Sequence, residues 1–145
     1  MADGRFVQHP EVGLALAQSL VATACAEAEQ IGIAVSVVVA DRAGNVVAAA
    51  RMDGAALGSM RLATDKAYTA AIWQLPTGDL RRSTQPGGDD WGLTSTEGGR
   101  IVVYAGGLPV FVEGELAGAV GVSGGTGDQD AQCVAAAVVT VGSPA

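Results

Sequence analysis

A chain of 145 residues with one histidine, two cysteines and a formal charge of −7 has room for one domain around a single core. The acidic balance and a pI near 4.4 exclude nucleic acid, which asks for a basic footprint, and no basic amphipathic helix offers itself to a membrane surface. Apolar residues make up 49% and aromatics only 4%, so the core is expected to be aliphatic and closely packed.

Residues 1–8 read as a loose terminus. Pro10 suits a first helical turn, and residues 11–30 read as one helix with Val12, Leu16 and Leu20 on a stripe that Val21, Cys25 and Ala28 widen. Gly32 is its stop. Residues 33–40 form a β-branched strand, apolar on both faces, and the turn Asp41-Arg42-Ala43-Gly44-Asn45 leads into a second strand over 46–50. Ser59 is placed to cap a helix running to about Trp73, with Met60, Ala63, Ala67 and Ala70 inward and Pro76 as its end. Residues 83–99 are a long polar loop, a length that is functional or mobile in a compact domain. Trp91 and Leu93 within it point to a segment that folds back or packs on a neighbour. Three more strands are expected over 101–104, 110–112 and 116–123, with a last helix from about Gln129 to Val141 and with Gly142 and Pro144 past its end. The order is α-β-β-α-β-β-β-α. Strands joined by short turns are antiparallel, so the class is α/β (α+β) with a five-stranded antiparallel sheet, a single domain over 1–145.

The stretch from Gly118 to Asp130 runs as an apolar strand into the loop Ser123-Gly124-Gly125-Thr126-Gly127 and restarts as a helix. Glycines let a ligand approach the backbone, and free amides at a helix start favour an anion. Asp128 or Asp130 capping those amides is the competing reading. Cys25 and Cys133 sit among Ala and Val and read as small buried apolar groups. With no CxxC and one histidine, no metal site is expected. No leader with a basic start and an apolar centre occurs, nor a run of 18 apolar residues. The expected location is therefore cytoplasmic, with no membrane partner.

Asp41, Gly44-Asn45, Arg51-Met52-Asp53-Gly54-Ala55, Ser59, Lys66-Ala67, Gly106-Gly107-Leu108-Pro109-Val110 and Gly118-Ala119-Val120-Gly121-Val122-Ser123-Gly124 stand in an order that resembles the GlcG/HbpS-like family. That family is also known as DUF336 or the haem-degrading family, and it is similar to the C-terminal module of some cobalamin adenosyltransferases. The resemblance implies a profilin-like fold, assembly into tetramers to octamers, and haem or cobalamin as cofactor. It names no axial ligand: His9, the single histidine, precedes Pro10 at a helix start, where a local structural role competes with ligation.

The residues that can carry chemistry are few. Arg51 can clamp a planar anion bidentately or pair at the surface with Asp53 or Asp41. Lys66, its stem at the edge of an apolar helix face, can anchor a carboxylate or act as a base if desolvation lowers its pKa, or extend to solvent. Tyr104 and Arg100 flank the strand that enters Gly106-Gly107, Tyr104 also reading as a half-buried strand residue. Asp130 is a general base or part of a cap. Ser123 as a nucleophile lacks a histidine after it. The catalytic candidates are therefore Lys66, Asp130 and Tyr104, and the ligand-binding candidates Arg51, Asp53, Arg100, Ser123, Gly124 and Gly125. Two functions compete. One is a self-associating module that binds a small, anionic molecule, haem or another tetrapyrrole, at the glycine-rich loop. The other is an enzyme acting on a small carboxylic acid as an isomerase, tautomerase, lyase or hydrolase.

Overall fold

The computed structural model describes residues 4–141. Its main elements are α1 (Leu14–Gln30), β1 (Ser36–Ala40), β2 (Val46–Arg51), α2 (Ser59–Trp73), β3 (Gly107–Val112), β4 (Glu115–Ser123) and α3 (Gly127–Val138). The strands form one antiparallel sheet in the order β2-β1-β4-β3. The β1–β2 turn is fixed by Asp41, whose Oδ1 accepts the backbone N–H groups of Ala43 and Asn45.

The two-sided apolar character of β1 has a direct cause. Alternate residues of a strand face opposite sides, and each side carries helices. Val35, Val37, Val39, Val120 and Val122 pack with Leu20 and Ala24 of α1 and Val134 of α3. Val38 and Ala40 pack with Ala63 and Ala67 of α2 on the other side, and Ala119 with Ala70 and Ala71. The layers are α1 and α3, sheet, α2. Close approach of α2 depends on Gly121: a side chain there would overlap the Ala63 carbonyl and reach within 2.6 Å of the Ala67 nitrogen.

The sheet has four strands, not five, and the order is α-β-β-α-β-β-α. The segment 101–104 forms no strand. Ile101 and Val102 are buried as their apolar character requires, but the Val102 N–H donates to Thr69 Oγ1 at 3.1 Å. A side chain of α2 thus supplies the acceptor that a sheet neighbour would otherwise give. β3 begins earlier than expected and includes Gly107–Pro109. Pro109 is tolerated because β3 is an edge strand, where a missing N–H breaks no interior ladder. At the other end α1 starts at Leu14, because Val12 N–H bonds Ala117 O of β4 at 2.9 Å. Ser59 is not a side-chain cap; Gly58 is the N-cap residue. Gly142 and Pro144 lie outside the described residues.

Among the described residues no helix is long and apolar enough to cross a membrane. The 83–99 segment is built of turns with two short 3-10 helices, Leu93–Ser95 and Glu97–Gly99. Trp91 is 67% exposed and does not fold back into the core.

Replacing Gly121 with Ala is expected to lower the unfolding free energy by about 1–3 kcal/mol, the usual cost of forcing atoms into a packed interface. Urea denaturation checks it, and an unchanged midpoint would mean that α2 does not sit on the β4 backbone.

Candidate ligand site at one end of the sheet

Lys66, the single lysine of the chain, stands in the middle of α2, and only 1% of its side chain is exposed. Its Nζ donates to Val122 O at 2.9 Å and to Asp130 Oδ2 at 3.0 Å. Asp130 belongs to α3, on the opposite side of the sheet. The ion pair therefore joins the two outer layers past the end of β4. The passage exists because residue 106 is glycine: its φ is +126°, and a Cβ there would lie 2.6 Å from both Lys66 Nζ and Val122 O. Asp130 Oδ1 accepts the Gly125 N–H at 2.8 Å. Lys66 is thus neither at an edge nor extended to solvent.

Tyr104 covers the pair, with Lys66 Nζ 5.3 Å from its ring centre, a cation–π distance. It lies in a bend rather than a strand. Its carbonyl accepts from Thr77 Oγ1 at 2.7 Å, while the side chain remains 44% exposed. Burial pulls the Lys66 pKa below the ordinary lysine value, and the hydrogen bond and charge of Asp130 offset part of that shift. The structure therefore brings Lys66, Asp130 and Tyr104 into one cluster.

The glycine loop adjoins it. Gly124 is exposed, with φ +142°, a conformation that favours glycine. α3 is capped by neither Asp128 nor Asp130 but by Thr126, which forms a capping box with Gln129. The amides of Gly125, Thr126 and Gln129 are consequently engaged by Asp130, Gln129 and Thr126.

Cross-strand register aligns a second set of residues at this end. Ser36 of β1 pairs with Arg51 on one side and with Ser123 on the other, so all three side chains face α2. Ser36 Oγ lies 2.8 Å from Ser59 Oγ, in the first turn of α2. Ser59 Oγ in turn donates to Ala56 O at 2.6 Å. Arg51 is exposed and its side chain makes no hydrogen bond or ion pair among the described residues; Asp41 is taken up by its turn. Asp53 is exposed on the turn after β2. Ser36 was not singled out from the sequence, although a serine heading a valine strand was a signal, and Ser59 was read there as a helix cap rather than as a partner of Ser36.

Other candidates lie elsewhere. Arg100 belongs to a separate network, its Nε 3.3 Å from Asp65 Oδ1 and its guanidinium 3.7 Å from the Tyr68 ring centre. His9 Nδ1 is 3.5 Å from Glu115 Oε2, at the start of β4. The nine residues of β4 put it about 25 Å from the glycine loop. Burial pushes the Cys133 thiol up to about 11, which suits an inert core residue. Among the described residues no group of three or more His, Cys, Asp or Glu is placed to hold a metal ion.

Lys66→Met leaves Asp130 buried without its cation and is expected to cost about 3–5 kcal/mol. Adding Asp130→Asn removes that charge while keeping an acceptor for Gly125 N–H, so the double variant should recover part of the loss. Equal losses in both would mean the pair is not coupled. Folded Lys66 releases its proton below 10.5, the ordinary lysine value. Between the two pKa values only the unfolded chain holds that proton, so wild-type stability should gain with pH relative to Lys66→Met. NMR titration of the single lysine reads the folded pKa directly, and a midpoint at or above 10.5 would contradict it.

Comparison with known proteins accords with this geometry. A family model described as "Haem degrading protein HbpS-like" matches residues 12–139. Corrinoid adenosyltransferase PduO of Citrobacter freundii is 34% identical over 84% of this chain, which spans only 36% of the PduO length. The crystal structure of Klebsiella pneumoniae protein ORFY, family DUF336, superposes with a TM-score of 0.93 at 35% identity, covering 97% of each chain. A PduOC:heme complex superposes with a TM-score of 0.86 at 32% identity, covering 89% of this chain and 94% of the other. The chain belongs to the HbpS-like family.

Proposed function

We propose that this chain is a small-molecule-binding protein whose ligand, a haem or another tetrapyrrole, lies against Tyr104 and the glycine-rich loop. The observation that carries the reading is the exposed Tyr104 ring held over a sealed ion pair beside the open backbone of Gly124. A flat macrocycle stacks on an aromatic face, and Gly124, whose missing Cβ makes room for Ala34 O and Val35, leaves its outer face exposed beside it. The PduOC:heme complex supports it as a property of a relative. Tyr104 is a side chain of an iron-ligating type at this end; Tyr68 is occupied by Glu97 and the Met52 sulfur by the Val35 N–H. The residues present fit the face and carboxylates of a tetrapyrrole better than its iron. A bound haem would supply an iron centre.

A second reading, an enzyme acting on a small carboxylic acid by proton transfer, is favoured by the lowered pKa of Lys66 beside Asp130. Self-association belongs to the proposal too. Since α1, α3 and α2 cover both faces of β1, its valines call for no partner. Exposed Leu57, Trp73 and Trp91 are among the apolar surface that remains to be covered.

Titration with hemin, iron-free protoporphyrin and cobalamin, followed in the Soret and corrin bands, tests the reading. Saturable micromolar binding, weakened at least tenfold by Tyr104→Ala and unaffected by His9→Ala, is expected. No saturable binding, or loss with His9→Ala alone, overturns it. Light scattering behind a sizing column should give a mass several times 14.4 kDa; a single species at that mass contradicts self-association.

A further inference from the structure

The start of α2 has donors that no described residue uses. Within its first turn, Ser59 N–H bonds Ala56 O and Leu62 N–H bonds Gly58 O. The N–H groups of Met60 and Arg61, between them, meet no acceptor among the described residues. Orphan amides at a helix start favour negative charge, but this alone marks no site. The second observation is Ser123. It is 95% buried, being 5% exposed, and its hydroxyl has no hydrogen-bond partner among the described residues. Every fully buried side-chain nitrogen or oxygen described does have a partner, so this hydroxyl keeps an opening to the outside. By register it lies on the α2 face, one strand from Ser36, whose Oγ touches the first turn of α2. Arg51 flanks Ser36 from the opposite strand and is exposed.

We infer that the start of α2, Ser123 and Arg51 form a binding site for the carboxylate of a small molecule. Met60 and Arg61 offer two amide protons, Ser123 a hydroxyl proton and Arg51 a planar pair of donors matched to a carboxylate. Ser36 is fully buried and positions the turn rather than touching the ligand. Its proton goes to Ser59 Oγ, since the Ser59 proton goes to Ala56 O. The net charge of −7 and exposed Asp53 two residues from Arg51 favour a monoanionic group over a doubly charged phosphate. Exposed Leu57, just before the turn, offers apolar surface to the ligand's hydrocarbon part. The inference deepens the reading of this sheet end as a ligand site and names the group the ligand presents there.

The test is a titration of the full chain, labelled with 15N, with acetate, succinate and inorganic phosphate at constant ionic strength. Saturable shifts of the Met60 and Arg61 amides with the carboxylates are expected, with Gly127 and Asp128 at the start of α3 unmoved. Arg51→Gln should weaken binding at least tenfold and Ser123→Ala several-fold, both with unchanged thermal midpoints. Linear shifts without saturation, equal binding by Arg51→Gln, or tighter binding of phosphate than of either carboxylate overturns the inference. Hemin binding without saturable carboxylate shifts removes this site alone; saturable carboxylate binding without hemin binding removes the tetrapyrrole reading alone.

Discussion

A buried ion pair that crosses a sheet is expensive, because both charges lose water and regain only what neighbouring dipoles return. Lys66 and Asp130 meet that demand with a full set of partners: Val122 O for the ammonium, Gly125 N–H for the second carboxylate oxygen, and the Tyr104 face above. Several local features make sense only around this pair. Gly106 leaves room for Nζ, α3 is capped by Thr126 so that Asp130 can turn inward, and the segment before β3 bends across the sheet end. A hydrophobic substitute would hold the layers with less desolvation. Conserving charge in the interior instead concentrates polarity at one edge, where Tyr104, the glycine loop and the Ser36 row also lie.

The rest of the architecture serves close approach. Ala63, Ala67, Ala70 and Ala71 present α2 as a nearly flat surface to β1 and β4, and Gly121 lets its backbone touch the strand. A sheet covered on both sides by small residues leaves little internal space. One shallow, peripheral cavity of about 390 Å³ is lined by Val7, His9, Arg42 and Gln74 at the opposite end. The chemistry proposed above sits at the sheet end because the terminating strands and the start of α2 leave unpaired polar groups there.

Helical and strand periodicity was enough to read α1, α2, β1 and β2, since alternating and 3.6-residue patterns report burial directly. The family resemblance was legible in the ordered motifs and is borne out by the match over residues 12–139. Residues 101–104 misled because burial without pairing looks the same in sequence as a strand; only the Thr69 hydroxyl decides between them. Lys66 was legible as a functional candidate but not as a buried group, since its partner lies 64 residues away on another layer. The anchor of Arg100 was hidden for the same reason, Asp65 being 35 residues distant. The place of Ser36 between Arg51 and Ser123 became visible only through strand register, which no local pattern encodes.

The central claim is that one ion pair holds both layers at the sheet end. Amide hydrogen exchange in wild type and Lys66→Met measures it most directly. The account predicts that Gly125 N–H, bound to Asp130 on one face, and Val122 N–H, bound to Gly106 O at 2.8 Å, lose protection together, while α1 amides such as Ala24 keep theirs. Unchanged protection at Gly125 and Val122, or a uniform loss that includes α1, would contradict it.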